Sequence, residues 1–310
     1  MIYDNSSESK KVVNETQVSV YDLLYSSFKF NIFNQSKVEY IYTHFDNKIS
    51  MIFGVNNGRI SAPFSAPFSF IRYSSEYLKY SHIYSFFCSL KNSFLNSEIQ
   101  SLKITLPPSI YNESIISKIS HSLGDLGFKL SYRDLNSHIN LNEFEVSLLP
   151  SSTKKAIRQS SKYECSFIKA DSINDIRRAF DIINENRRSK GYPLRMSWDQ
   201  MLDTINSVAK AHVFIAKVDG EEVASAFVFE VNNDIAQVIY WGATDIGENK
   251  NVMYFLPFQI FSYFKELGFR LLDIGPSSEF GVVSNGLNDY KQLIGCITSI
   301  KETWIIDKND

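Results

Sequence analysis

The stretch Phe269–Cys296, FRLLDIGPSSEFGVVSNGLNDYKQLIGC, decides how the rest of the chain is read. Leu271, Leu272 and Ile274 make a short apolar strand that ends at Asp273 and Gly275. A polar loop rich in Gly and Ser follows, then a short helix carrying Lys291, a stop at Gly295 and a further strand. Strand end, loop and helix start are where an α/β sheet places its chemistry.

Working back from this stretch, Asn251–Leu267 has helical periodicity and Gly268 closes it. Three strands precede it, His212–Val218, Val223–Val231 and Ile235–Gly242, joined at Asp219-Gly220 and Asn232-Asn233. Before them, Ser197 and Gln200 form a capping box for a helix from Trp198 to Val208. Asp171 or Ser172 caps a helix whose apolar positions are Ile176, Ala179, Phe180 and Ile183, after a strand at Glu164–Lys169. Thr298–Ile306 is the last strand.

The first half repeats the later part of that order. After a polar start at residues 1–18 come a helix near Val20–Phe30, strands at Val38–Phe45 and Ile49–Val55, and an Asn57-Gly58 hairpin. A third strand enters SAPFSAPFSF, where Pro63 and Pro67 end ladder pairing. A helix over Glu76–Phe94, a strand at Leu102–Leu106, a helix over Tyr111–Leu123 and a hairpin from Phe128 to Val146 complete it. LKITLPPS at Leu102–Ser109 echoes LLDIGPSS at Leu271–Ser278, which reads as an internal duplication. The polar, basic segment LPSSTKKAIRQSSKY marks the expected boundary, giving halves of 1–148 and 149–310.

With 310 residues, 44% of them hydrophobic, the chain has ample material for a core. A formal net charge of -2 supplies no global attraction for DNA. Cys88, Cys165 and Cys296 stand singly, without metal-ligand spacing, so no metal is expected and a reducing cytoplasm is the simplest location. The five histidines form no HxH, HExxH or triad pattern, which disfavours metal and Ser-His-Asp hydrolysis. No apolar run reaches the roughly 20 residues of a membrane span, although a peripheral contact is compatible with the sequence.

Four segments carry a resemblance: LPSSTKKAIRQS, NENRRSKGYP, YWGAT and LLDIGPSSEFG…NGLNDYKQLIG. Taken in order, they resemble the FemAB-like proteins of the GNAT superfamily, acyltransferases with two GNAT-like halves. The resemblance implies an α/β (α+β) fold of two halves, each a mixed sheet flanked by helices, with the N-terminal half degenerate. It implies N-acyl transfer, acetyl or aminoacyl, to an amine of a cell-envelope or surface-polysaccharide precursor. Such an acceptor would be a small molecule or be linked to a lipid or nucleotide. The donor would be acetyl-CoA, another acyl-CoA or an aminoacyl-tRNA, with no permanently bound cofactor. The rival readings are an aminoacyl-tRNA-dependent peptidoglycan bridge enzyme and a non-catalytic GNAT-like binding or scaffold protein.

Acyl transfer to an amine needs a proton acceptor, a stabilised oxyanion and reactants held together. By the resemblance, Lys291 stabilises charge on the donor or the oxyanion; a solvated helix lysine is the plain alternative. Glu279 and Asp273 are base candidates at or after a strand end, with a structural strand-end carboxylate the alternative for Asp273; Tyr240 is a hydrogen-bond donor candidate, with core packing the alternative for it and for Trp241. Trp241 and Gly242 would flank the donor beside a splayed strand pair, while Gly247, Lys250 and Asn251 form the turn that would face its phosphates. That turn, TDIGENKNVMY, lacks the paired glycines of a standard CoA cradle. Arg158, Arg187 and Arg195 are candidate contacts for a phosphorylated acceptor, or ordinary surface cations.

Overall fold

A computed structural model describes residues 22–74 and 77–308. Residues 1–18, the expected helix start at Val20 and Glu76 lie outside the described residues. In chain order the elements are α1 (Phe28–Phe33), β1 (Tyr40–Phe45), β2 (Ile49–Asn56), β3 (Arg59–Ala62), β4 (Arg72–Tyr73), α2 (Tyr80–Leu95), β5 (Ser101–Thr105), α3 (Glu113–Asp125) and β6 (Lys129–Asn140). There follow α4 (Ser151–Ser160), β7 (Cys165–Lys169), α5 (Ile173–Ser189), α6 (Trp198–Ser207), β8 (Ala211–Val218), β9 (Glu221–Glu230), β10 (Ile235–Ala243) and α7 (Asp245–Asn249). The last are α8 (Leu256–Glu266), β11 (Leu271–Pro276), β12 (Ser278–Glu279), β13 (Val282–Val283), α9 (Asn285–Leu293) and β14 (Ile297–Asp307). Among the described residues no helix is long and apolar enough to cross a membrane.

Contacts divide the chain into two units. The first comprises residues up to Leu135 with Phe280–Val282 and Ser299–Asp310; the second comprises Asn136–Glu279 and Val283–Thr298. The division thus follows Leu135, not Leu148. The reason is β6, a single unbroken strand where the sequence suggested a hairpin; its Asn136–Asn140 end pairs with β11.

In the first unit the strand order is β1-β2-β3-β5-β14-β6. The Asn57-Gly58 turn takes positive φ at both residues, 49° and 68°, as a tight hairpin with the right twist requires. β3 then runs parallel to β5, from Arg59↔Ser101 to Ala62↔Ile104, with α2 as the connection. α2 buries Ile83, Phe86, Phe87, Leu90 and Phe94, one helical face. At about 1.5–3 kcal/mol for each fully buried side chain, that face dominates the docking of the helix. The expected helix over Val20–Phe30 is interrupted in its described part: Ser27 is extended and caps α1 by accepting from the Phe30 N–H.

In the second unit the order is β6-β11-β10-β9-β8-β7. β7 to β10 form an antiparallel meander, and the Asp219-Gly220 turn again has positive φ, 53° and 83°. β10 and β11 are parallel, joined through α8, as β3 and β5 are joined through α2. The order strand, helix, parallel strand, helix, strand therefore occurs twice. The strand that completes each repeat is exchanged: β14 pairs with β5, and the end of β6 pairs with β11. The expected helix over Asn251–Leu267 is broken. Asn251 is left-handed (φ 59°), Val252–Tyr254 is a 3-10 turn, and α8 starts afresh with Pro257 in its first turn. The core between sheet and α8 is built on Phe214, Ile260, Phe261, Phe264 and Leu272.

Candidate active site

The second unit contains a notch in its sheet. β10 and β11 pair only at Ile235↔Leu271, Ala236↔Leu272 and Gln237↔Asp273. Just beyond, both strands slip register: β10 against β9 between Val238 and Tyr240, and β11 against β6 between Asp273 and Gly275. Each strand then follows its outer neighbour. Tyr240–Ala243 stay with β9, Gly275 and Pro276 stay with β6, and the parallel pair opens. The bulges are the local cause, since an extra residue bends a strand and ends its pairing on one side.

Asp273 holds the vertex of this notch. It is fully buried. Its Oδ1 accepts from Asn136 Nδ2 at 2.7 Å and from the Gly275 N–H at 2.8 Å, and its Oδ2 accepts from Gln237 Nε2 at 2.7 Å. One carboxylate thus ties β6, β10 and the turn of β11 together. This corrects its assignment as a general base: both oxygens are occupied and no solvent reaches it.

Lys291 forms the floor. α9 is short, but its Lys291 is only 3% exposed. Its Nζ donates to the carbonyls of Gly275 and Pro276, each at 2.8 Å, on the strand that leaves the notch. Among the described residues these two carbonyls are the acceptors that engage two of the three ammonium protons. Burial lowers its pKa from the ordinary 10.5 to about 8, with Cys296 and Asp273 pulling upward and Arg187 adding to the lowering. Cys296, beside it, is pushed up to about 12 by burial. The alternative of a solvated helix lysine is therefore set aside.

The β10 wall is positioned by α5. Asn186 is buried, and its Nδ2 donates to the Ala243 carbonyl at 2.6 Å. Gly242 is required opposite it, because a Cβ there would stand 2.5 Å from Asn186 Oδ1. This contact brings the next residue, Arg187, to Tyr240. Arg187 Nε is buried without a hydrogen-bond partner among the described residues. Burial raises the Tyr240 phenol, while the charges of Arg187 and Arg195 and hydrogen bonds from the Arg195 and Met196 backbone pull it down. Trp241 is buried and its ring lies 6.5 Å from that of Tyr290, whose hydroxyl donates to the Met253 carbonyl.

The other predicted residues lie apart. Glu279 is exposed and paired with exposed Arg195, so its carboxylate is neutralised at the rim. Arg158 is exposed on α4, and among the described residues no hydrogen bond or ion pair ties it to Lys291. Lys250 pairs with Asp219 at 2.7 Å and lies 5.2 Å from the Tyr163 ring centroid. The Gly247 N–H donates to Thr244 Oγ1, and the Asn251 N–H donates to the Glu248 carbonyl. The turn expected to cradle phosphates therefore has its cation neutralised and these two N–H groups used internally. Gly247 is instead a packing glycine, with the Val223 carbonyl 2.7 Å from where a Cβ would be. Sequence reasoning missed Asn136, Asn186 and Gln237. The signal for Gln237 was a lone amide inside an apolar strand, IAQVIYW. Among the described residues no group of three or more His, Cys, Asp or Glu side chains could hold a metal.

The order strand, helix, parallel strand, helix, strand, repeated over two sequence halves with the sheet opening between β10 and β11 in the second, defines a class: the tandem GNAT-like fold. Comparison with solved structures places the chain more narrowly. It matches FemX with a TM-score of 0.67 at 10% identity, over 94% of each chain. It matches L-PGS from Bacillus licheniformis with a TM-score of 0.61 at 11% identity, over 94% of this chain and 95% of that one. It matches the C-terminal domain of a putative lysylphosphatidylglycerol synthetase from Agrobacterium fabrum with a TM-score of 0.61 at 10% identity, over 92% and 88%. The fold is thus FemAB-like. No family model matches the sequence, and no curated protein is similar to it by sequence.

Proposed function

We propose that this protein is an N-acyltransferase that works in the notch of its second unit. It moves an acetyl, other acyl or aminoacyl group to an amine on a cell-envelope or surface-polysaccharide precursor. The observation that carries this reading is Lys291: a buried amine at the opening of a parallel strand pair, with two protons fixed on backbone carbonyls. At neutral pH a group with a pKa of about 8 is mostly protonated. Its third proton faces a charge that grows during attack on a carbonyl, and in a site shielded from water such a donor acts strongly. Its support is rigid, because the same Gly275 that offers its carbonyl to Lys291 has its N–H on Asp273.

The balance of the transfer is simple. The acceptor amine attacks the acyl carbonyl, a C–N bond forms, and the bond to the donor's sulfur or oxygen breaks. The amine's proton leaves with the departing group or to solvent. Tyr240, with its phenol raised, stays protonated and serves as a hydrogen-bond donor toward the reacting groups. Arg187 supports an anionic part of donor or acceptor. The donor is a CoA thioester or an aminoacyl-tRNA; the internally satisfied Thr244–Asn251 turn favours a donor that does not place a pyrophosphate there. A cytoplasmic location and a peripheral contact with a membrane carrying the acceptor belong to the same proposal.

The test is transfer of label from radioactive acetyl-CoA and from aminoacyl-tRNA to a panel of amino sugars and peptide-stem amines. Turnover with either donor, lost on Lys291→Met, supports the reading. Absence of transfer and of calorimetric binding with both donors favours the scaffold.

A further inference from the structure

The first unit holds a cavity of about 730 Å³ that the acyl-transfer reading does not use. It lies between α2 and the strands β1, β2 and β3, floored by Val55, Ile60 and Ile99. Its size falls within the range of small-molecule sites.

The composition of its wall restricts what can enter. Among the described residues no Asp, Glu, Lys, Arg or His lines it, in a chain where 21% of residues are charged. The site is an open groove, with Ser85, Ser89, Asn92, Ser93 and Asn96 exposed, so a phosphate, carboxylate or ammonium would stay hydrated and would find no counter-charge to hold it. The occupant is therefore neutral. Yet the wall is not simply apolar. Ser85, Ser89, Ser93 and Asn96 recur at helical spacing along α2, so hydroxyl and amide groups form one edge, with the Ser93 hydroxyl engaged by the Tyr42 phenol. A hydrocarbon chain laid along the groove would displace water from these exposed groups and offer them no hydrogen bond in return.

The other edge is aromatic. Tyr40 and Tyr42 alternate on β1 and so face the same side, and Tyr84 meets them from α2. The Tyr42 hydroxyl bonds His44 Nδ1 at 2.9 Å, and His44 packs edge-on against Phe86 at 4.9 Å. This side of the wall is thus set before any ligand arrives. A neutral molecule with C–H faces for tyrosine rings and hydroxyls for serine and asparagine is a saccharide. We propose that the first unit binds a short neutral saccharide in this cavity, independently of whether the second unit transfers acyl groups.

Cys88 Sγ is the natural reporter, because the residue lines the cavity and is half-buried. Burial raises the other two thiols, Cys296 to about 12 and Cys165 in the same direction, which suppresses their reaction. The full chain is treated with N-ethylmaleimide at neutral pH, and the Cys88 peptide is followed by mass spectrometry. The probes are N,N′-diacetylchitobiose, maltose and lactose, with inorganic phosphate and octanol in parallel. With a Kd of about 1 mM, a saccharide at about 10 mM slows Cys88 labelling about tenfold. Phosphate and octanol leave the rate unchanged. Ser89→Trp, which fills the cavity, abolishes the protection. Tyr84→Ala, which removes one ring, raises the saccharide concentration needed about tenfold and provides a second variant if the first does not fold. Failure of every saccharide to slow labelling overturns the proposal. So does equal protection by octanol or phosphate, or protection that survives in both folded variants.

Discussion

Raising the pH from 7 to 9.5 should stabilise the native protein through Lys291, whereas exposed lysines give no such gain. The buried amine holds its proton less tightly when folded, with a pKa lowered from 10.5 to about 8. Below pH 8 both folded and unfolded chains carry the proton, and the cost of burying the charge is paid in full. Between pH 8 and 10.5 the unfolded chain binds more protons than the folded one, so stability rises with pH. The whole shift corresponds to about 3 kcal/mol, and about 2 kcal/mol of it is released by pH 9.5. Cys296 acts with the opposite sign. Its thiol is raised to about 12, so above its ordinary 9.0 the folded state retains a proton that the unfolded state loses, and stability falls. The measurement is therefore a difference: urea unfolding of wild type and Lys291→Met, both in the Cys296→Ala background, at pH 7, 8, 9 and 9.5. The wild-type side chain should gain about 2 kcal/mol over the methionine across this range. A difference independent of pH would show that Lys291 is not buried as a strained cation, and the basis for its role would fall.

Four further outcomes follow from the same contacts. Gly242→Ala should cost about 1–3 kcal/mol by thermal melting, because its Cβ meets Asn186 Oδ1 at 2.5 Å; combined with Asn186→Ala the two costs should be clearly less than additive. Asp273→Asn should destabilise by about 1–3 kcal/mol and lower kcat more than it changes KM, since it turns one acceptor oxygen of the notch vertex into a donor facing donors. Cys296 should resist iodoacetamide at pH 8.5 in the native protein and react at once in denaturant, as a thiol raised to about 12 requires. Lys250→Ala should leave transfer from either donor within about twofold, because its charge is engaged by exposed Asp219.

Local signals in the sequence predicted local structure well. The Asn57-Gly58 and Asp219-Gly220 turns have the positive φ values that their residues favour. Ser172 and the Ser197–Gln200 box cap their helices as their spacing implies. What the sequence left open is long-range. Nothing local at Asn136 shows that it will meet Asp273, 137 positions later, and Asp273 reads equally well as a base or as a tie between strands. The unbroken course of β6 and the exchange of β14 depend on which strand edges are free, a property of the assembled sheet. Lys291 is singled out by the resemblance, not by the residues around it alone, and its burial depends on the Gly275 and Pro276 carbonyls brought under it by β11. At the candidate phosphate turn Lys250 and Asn251 have suitable residue types, and only the fold shows their partners in Asp219 and Glu248.

The central claim is that acyl transfer takes place at Lys291. The most direct measurement is single-turnover transfer of label to a responsive amine by wild type and Lys291→Met, with folding verified by circular dichroism. The account predicts a rate lower by about 10²–10³-fold in the variant, as for loss of one oxyanion donor. A variant that transfers at the wild-type rate would contradict it.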